Sequence, residues 1–217
     1  MKIPSSFDAE TLVVYCDRLA QKDPVFKTVI NTYGYPPCWT RKAHFETLIH
    51  IILEQQVSLV SAKAALLKLK ERVGLVTPSK IMSLSDEALK ACYFSRQKIQ
   101  YARHLSEAVL SKKISISALT YMRDDEVRAS LTAIKGIGNW TADVYLMMVL
   151  HRNDLFPLGD IALLNSVKHL KGLPAHTAKE AIGEIAENWK PYRTAAAFLC
   201  WHAYLQRKNL PSASGKL

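Results

Sequence analysis

The chain has 217 residues, of which 49% are apolar and 22% charged, an ordinary soluble globular composition. Lys and Arg exceed Asp and Glu to give a formal net charge of +10, a balance that favours a polyanionic partner, nucleic acid being the commonest. The longest apolar runs, such as Tyr145 to Leu150, are too short to span a bilayer, and the start of the chain lacks a signal-peptide pattern. The expectation is therefore an intracellular protein with no membrane partner, in the cytoplasm and nucleoid of a bacterium or in a nucleus.

Apolar residues recur at helical spacing nearly everywhere, and no segment alternates as a strand would. Ser6 or Asp8 can cap a first helix to about Ala20, and Pro24 starts a second that ends near Gly34. Pro36 and Pro37 mark 35–40 as a loop. Helices are expected over 43–55 and over 59–72, the latter stopped by Gly74. Thr77-Pro78 starts a short helix, Ser85 caps the next, and another covers 96–110. Two helices, 123–134 and 139–150, flank Lys135-Gly136-Ile137-Gly138. Helices over 161–170, 177–188 and 191–206 complete the set, and 211–217 reads as a frayed tail. The expected fold is all-α: about a dozen helices in two lobes with a cleft between them. The whole of 1–217 forms one domain, with the hairpin at 123–151 in its second lobe.

Cys16, Cys38, Cys92 and Cys200 are scattered, with no C-x-x-C pair, so neither a zinc site nor an iron–sulfur cluster is expected. The histidines show no metal-binding spacing either. Buried thiols in a reducing compartment are the better reading.

The most informative segment is L-T-A-I-K-G-I-G-N-W-T-A-D, residues 131–143. Two glycines two residues apart allow a tight turn between helices. The amides at the start of the second helix then point outward, and a phosphate can approach Gly136, Ile137, Gly138 and Asn139 without a side chain in the way. Lys135 adds charge beside them. A plain helix–helix turn would also use glycine, but the downstream F-P-L-G-D-I-A-L-L-N of 156–165 adds a carboxylate, Asp160, at the mouth of the following helix. By its position Asp160 is an N-cap.

Together these segments resemble the helix-hairpin-helix–Gly/Pro–Asp superfamily of DNA glycosylases, and within it the alkylbase branch in its short, all-helical form. The resemblance runs from about Ala43 to Arg207. It implies a partner, duplex DNA carrying a damaged base, and a reaction, hydrolysis of the N-glycosidic bond of alkylated purines such as 3-methyladenine. It implies that Asp160 is the catalytic carboxylate, stabilising positive charge on the deoxyribose and orienting water. A cationic alkylpurine leaves without a strong general acid, so one carboxylate suffices. Bifunctional members carry a lysine two residues after the second hairpin glycine; here that residue is Trp140, so no lyase activity is expected.

The resemblance also assigns the base pocket. Trp140 and Trp201 match pocket tryptophans, with Tyr145, Trp39 and Trp189 as weaker candidates, while Val144 stands where some relatives have an aromatic. The segment I-L-E-Q-Q-V-S of 52–58 matches a loop that enters the minor groove. Gln56 fills the gap left by the flipped base, with Gln55, Val57 and Ser58 beside it, and Thr141 joins the hairpin contacts. Glu54 is an unusual charge so near DNA and either points inward or shapes the pocket. Pro191 opens the last helix and Arg193 ties the lobes together. Tyr93 replaces a turn glycine. No cofactor is required, although hairpins of this kind can hold a monovalent cation on main-chain carbonyls. A monomer suits an enzyme that wraps one lesion. The alternatives are a non-catalytic hairpin module that binds DNA, for which Asp160 has no use, and a glycosylase for oxidised or mismatched bases, which usually brings the missing lysine or cysteine cluster.

Overall fold

The computed structural model describes residues 6–209, so the expected tail at 211–217 lies outside the described residues. Among these residues there are twelve α-helices and one 3-10 helix, and the only β feature is an isolated bridge between Ser6 and Arg152. In chain order the helices are α1 (Ala9–Lys22), α2 (Pro24–Tyr33), α3 (Phe45–Glu54), α4 (Leu59–Val73), α5 (Pro78–Ser83), α6 (Asp86–Lys90) and α7 (Arg96–Leu110). The 3-10 helix Ala118–Tyr121 follows, then α8 (Asp124–Thr132), α9 (Asn139–Met148), α10 (Ile161–Leu170), α11 (Lys179–Glu187) and α12 (Arg193–Arg207).

Short polar side chains set the starts. Asp8, Ser58, Thr77, Ser85, Ser95 and Asp160 each accept a hydrogen bond from a backbone amide in the first turn of the helix they precede. Gly34 and Gly74 end α2 and α4 at positive φ, where a Cβ is penalised. Pro191, however, does not open the last helix: α12 starts at Arg193, and Tyr192 is its N-cap. The Ala118–Tyr121 turn carries no signal that periodicity detects.

The chain divides into two units. One runs from Arg41 to Tyr145; the other joins the segment ending at Thr40 to the segment beginning at Leu146. The boundary between the units falls inside α9. Each unit is organised around one helix buried on nearly all sides, as an apolar helix must be. In the first unit this is α3, with Leu48, Ile49, Ile51 and Ile52 fully buried, packed by α4 and α7. In the second it is α12, buried continuously from Thr194 to Ala203 and packed by α1, α2 and α10.

Arg193, expected to tie the lobes together, finds its hydrogen-bond partners among the described residues within the second unit. Its guanidinium and Nε bond Asp154 (2.8 and 3.1 Å) and Glu187 (2.7 Å), all within the second unit. Trp189 is a core residue of that unit: it is 1% exposed, donates to Asp23 at 3.0 Å, and packs on Phe26 and Phe156. The thiols of Cys16, Cys92 and Cys200 are buried, and burial pushes their pKa values up.

Candidate active site and nucleic-acid interface

In the first unit, α8 and α9 form the expected helical hairpin. Arg128 and Asp143 clamp the two helices by an ion pair of 2.5 Å. Gly136 has φ +97°, and a Cβ there would come within 2.1 Å of the Tyr101 ring on α7. Its glycine is therefore required twice, by conformation and by close approach. At Gly138 the situation is reversed: a Cβ would meet nothing within 4 Å, so the space above it is open. Lys135, Gly138 and Asn139 are exposed. Amides in the first turn of a helix have no carbonyl partner within it, so the start of α9 offers donors to an anion. Ile137 and Thr141 are buried, and the Ile137 amide already donates to the Ile134 carbonyl at 3.0 Å. Trp140 is half-buried.

The loop between α3 and α4 carries the second set of expected contacts. Gln56, Val57 and Ser58 are exposed, and Gln56 takes a left-handed φ of +58°. Gln55 points inward instead: its amide Nε2 donates to the Gly136 carbonyl and to the Thr141 hydroxyl, each at 3.0 Å. Glu54 also points inward, into a two-bond ion pair with Arg41 (2.8 and 3.0 Å), with His50 Nε2 at 3.6 Å. Burial pushes the His50 pKa below its ordinary value against the pull of Glu54. Lys98 donates to the Leu53 carbonyl at 2.6 Å, which caps the end of α3, and burial lowers its pKa. Sequence reasoning missed Arg41, Lys98 and Tyr101, since no local pattern marks a partner more than ten residues away. Tyr93, where a turn glycine is expected, does take φ +65° and is exposed.

In the second unit the turn closed by the Asp160 amide on the Pro157 carbonyl (2.9 Å) delivers Asp160 to the N-terminus of α10. Its Oδ1 accepts from the Leu163 amide at 2.7 Å and from the Trp201 indole Nε1 at 3.2 Å. The cap and the indole therefore orient the same carboxylate, and the positive end of α10 favours negative charge there. Trp201 belongs to an aromatic cluster. Trp39 lies 6.2 Å from it and Phe198 6.0 Å, ring centre to ring centre, and Trp39 and Phe198 meet at 5.0 Å. Trp39 is 4% exposed and Trp201 9%, so both are buried and Trp201 is the more accessible of the two.

Tyr145 fits the base pocket less well. It is 0% exposed, its hydroxyl is buried without a hydrogen-bond partner, and burial pushes its pKa up to about 12. Val144 is also buried. Among the described residues no three His, Cys, Asp or Glu side chains are grouped to hold a metal ion, and no helix is long and apolar enough to cross a membrane.

Comparison with known proteins places this arrangement. Residues 49–191 match the HhH-GPD superfamily of base excision DNA repair proteins, and the chain belongs to that family. Two fission yeast proteins of Schizosaccharomyces pombe are similar over most of their length. One is named alkylbase DNA glycosidase-like protein mag2: it is 33% identical, over 73% of this chain and 77% of its own. The other is named DNA-3-methyladenine glycosylase 1: it is 32% identical, over 84% of this chain and 83% of its own. The solved structure of S. pombe 3-methyladenine DNA glycosylase (Mag1) in complex with abasic DNA superposes with a TM-score of 0.78 at 28% identity, covering 94% of this chain and 99% of that one. A DNA-3-methyladenine glycosidase from Bacillus halodurans gives 0.72 at 32% identity, covering 96% and 95%.

Proposed function

We propose that this chain is a monofunctional DNA glycosylase that excises alkylated purines from duplex DNA, acting as a monomer on a flipped-out nucleotide. One observation carries the reading: a single carboxylate, Asp160, is fixed by a helix cap and an indole N–H beside an aromatic cluster. The family match and the named relatives supply the substrate class.

The main chain at Gly136, Gly138 and Asn139 holds a phosphate, with Lys135 beside it, and Gln56 enters the space the extruded base vacates. The cationic base stacks on tryptophan, gaining of order 1–2 kcal/mol when desolvated. Trp201, whose indole donates to Asp160 within the same unit, is the assigned face. As the C1′–N bond breaks, the base leaves with the bonding electron pair and positive charge develops on the sugar. Asp160 stabilises that charge and accepts a proton from the water that adds to C1′. The products are the free base and an abasic strand. A cation on the hairpin would sit on main-chain carbonyls. Those of Ile134, Gly136 and Gly138 already accept one hydrogen bond each, which leaves each a second lone pair, and no step runs through such an ion.

The test is incubation with methylated duplex DNA and chromatographic identification of the released bases. Release of methylpurines with an intact strand is expected; binding without release favours a non-catalytic hairpin module. Borohydride trapping should give no covalent adduct, because Trp140 replaces the attacking amine.

A further inference from the structure

The loop 55–58 and the hairpin 135–139 come from helices far apart in sequence, yet one side chain joins them. Gln55 directs both amide protons inward, to the Gly136 carbonyl and the Thr141 hydroxyl, at 3.0 Å each. Thr141 is 1% exposed, and Gly136 is seated against Tyr101, so neither acceptor has room to shift. The loop's own base is held as firmly: Lys98 caps the Leu53 carbonyl and Arg41 fixes Glu54 by two bonds. The next residue, Gln56, stands exposed at φ +58°, a conformation that a non-glycine residue keeps only when its surroundings impose it.

We infer that Gln55 is a positioning residue, which locks the Gln56 wedge to the phosphate-holding hairpin so that the two elements meet DNA as one rigid piece. It does not contact a base or a phosphate through its amide nitrogen, which is committed to the hairpin. The inference rests on the proposed function for what the two elements touch, but the linkage itself does not depend on catalysis. Without it, the wedge must find its place after the strand is already gripped. With it, a strand seated on the hairpin presents the lesion to Gln56 at a fixed offset.

Two experiments on the full chain test this. In the first, amide hydrogen exchange is compared between wild type and Gln55→Ala. Exchange at 55–58 and at 136–141 should quicken together, by about tenfold or more. A hairpin that stays as protected as in wild type overturns the linkage. The second is a double-mutant cycle on single-turnover excision. Gln55→Ala should slow excision about tenfold in the wild-type background and less than about twofold in a Gln56→Ala background. The same factor in both backgrounds makes Gln55 a contact in its own right and overturns the inference. Thr141→Val should reproduce part of the loss and Thr141→Ser restore it; a Thr141→Ser protein as slow as Thr141→Val counts against the hydroxyl as the anchor. Gln55→Glu keeps the side-chain volume and removes the donor, so it repeats both experiments if the alanine variant does not fold. If wild type releases no methylpurine, the functional reading fails, while the exchange result still decides the linkage.

Discussion

In the unit from Arg41 to Tyr145, the proposed grip on DNA is made of main chain. Gly138 is bare, Gly136 is packed against Tyr101, and the side chains of Ile137 and Thr141 are turned inward. In the other unit the proposed chemistry rests on one side chain, Asp160, and its neighbours exist to aim it. A binding surface of backbone amides tolerates no Cβ at its two glycines but asks little of residue identity around them. A carboxylate that must face a reacting sugar asks for one residue type, oriented by donors that are themselves fixed. The two units should therefore fail differently when altered.

The largest effect belongs to the second unit. Asp160→Asn keeps the volume and an oxygen that can cap α10, but removes the charge. Single-turnover excision should fall by about a thousandfold or more, as for loss of a group that stabilises transition-state charge, while affinity for duplex DNA stays within a few-fold. An asparagine variant that still releases base at the wild-type rate would show that Asp160 is only a cap.

Next come the two hairpin glycines, which sharpen the contrast within the first unit. Gly136→Ala places a Cβ into the Tyr101 ring at positive φ, and should destabilise the fold by roughly 3 kcal/mol. Gly138→Ala meets no protein atom within 4 Å. Its melting temperature should stay near that of wild type, while DNA affinity drops about tenfold because the methyl group stands where a phosphate must approach. Titration at rising salt supplies the control: affinity should fall steeply for wild type and less steeply for Gly138→Ala. Equal affinities for the two proteins would remove the hairpin from the interface.

Trp201→Phe comes third. It preserves an aromatic ring in the cluster with Trp39 and Phe198 but deletes the Nε1 donor to Asp160. About fivefold slower excision is expected, equivalent to one net hydrogen bond of roughly 1 kcal/mol. Trp189→Phe deletes a donor of the same kind, to Asp23, and should cost stability while leaving excision unchanged. If both variants slow excision alike, the assignment of Trp201 to the site fails.

That pair of tryptophans also marks what sequence can and cannot reveal. The helices were legible because periodicity and caps are local: Ser95 before Arg96–Leu110, and Asp160 before Ile161–Leu170, lie where the pattern places them. The two glycines and the acid were legible as a spacing. What separates Trp201 from Trp189 is which aspartate each indole meets, across 41 and 166 residues respectively, and no local pattern encodes that. The inward turn of Gln55 onto Gly136 and Thr141 is hidden for the same reason, as is the choice of Arg193 to stay within its own unit. Gly136 was legible as a turn residue but not as a seat for Tyr101, whose ring arrives from α7.

The smallest expected effect compares the units through one buried histidine in each. Burial is the main cause that lowers the pKa of His50 in the first unit and of His151 in the second below the ordinary 6.5. For such groups the unfolded chain binds more protons than the folded one between the two pKa values. Stability is therefore full above about pH 6.5 and is lost as pH falls toward the depressed values, by at most about 1.4 kcal/mol per pH unit for each histidine. Carboxylates whose pKa is lowered act in a separate, more acidic window. Asp23 is one, where burial is outweighed by hydrogen bonds from Lys171 and Trp189. Denaturant unfolding at pH 7.5 and pH 5.5 should show the protein weaker at the lower pH, and His50→Gln and His151→Gln should each flatten part of that slope. His50 makes the finer comparison, because Glu54 at 3.6 Å opposes the burial effect. Removing Arg41's claim on that carboxylate by Arg41→Met leaves Glu54 to pair with a protonated His50, and the pH dependence contributed by His50 should then shrink or reverse. An unchanged slope in Arg41→Met would show that burial alone sets His50 and that the ion pair beside it is indifferent to pH.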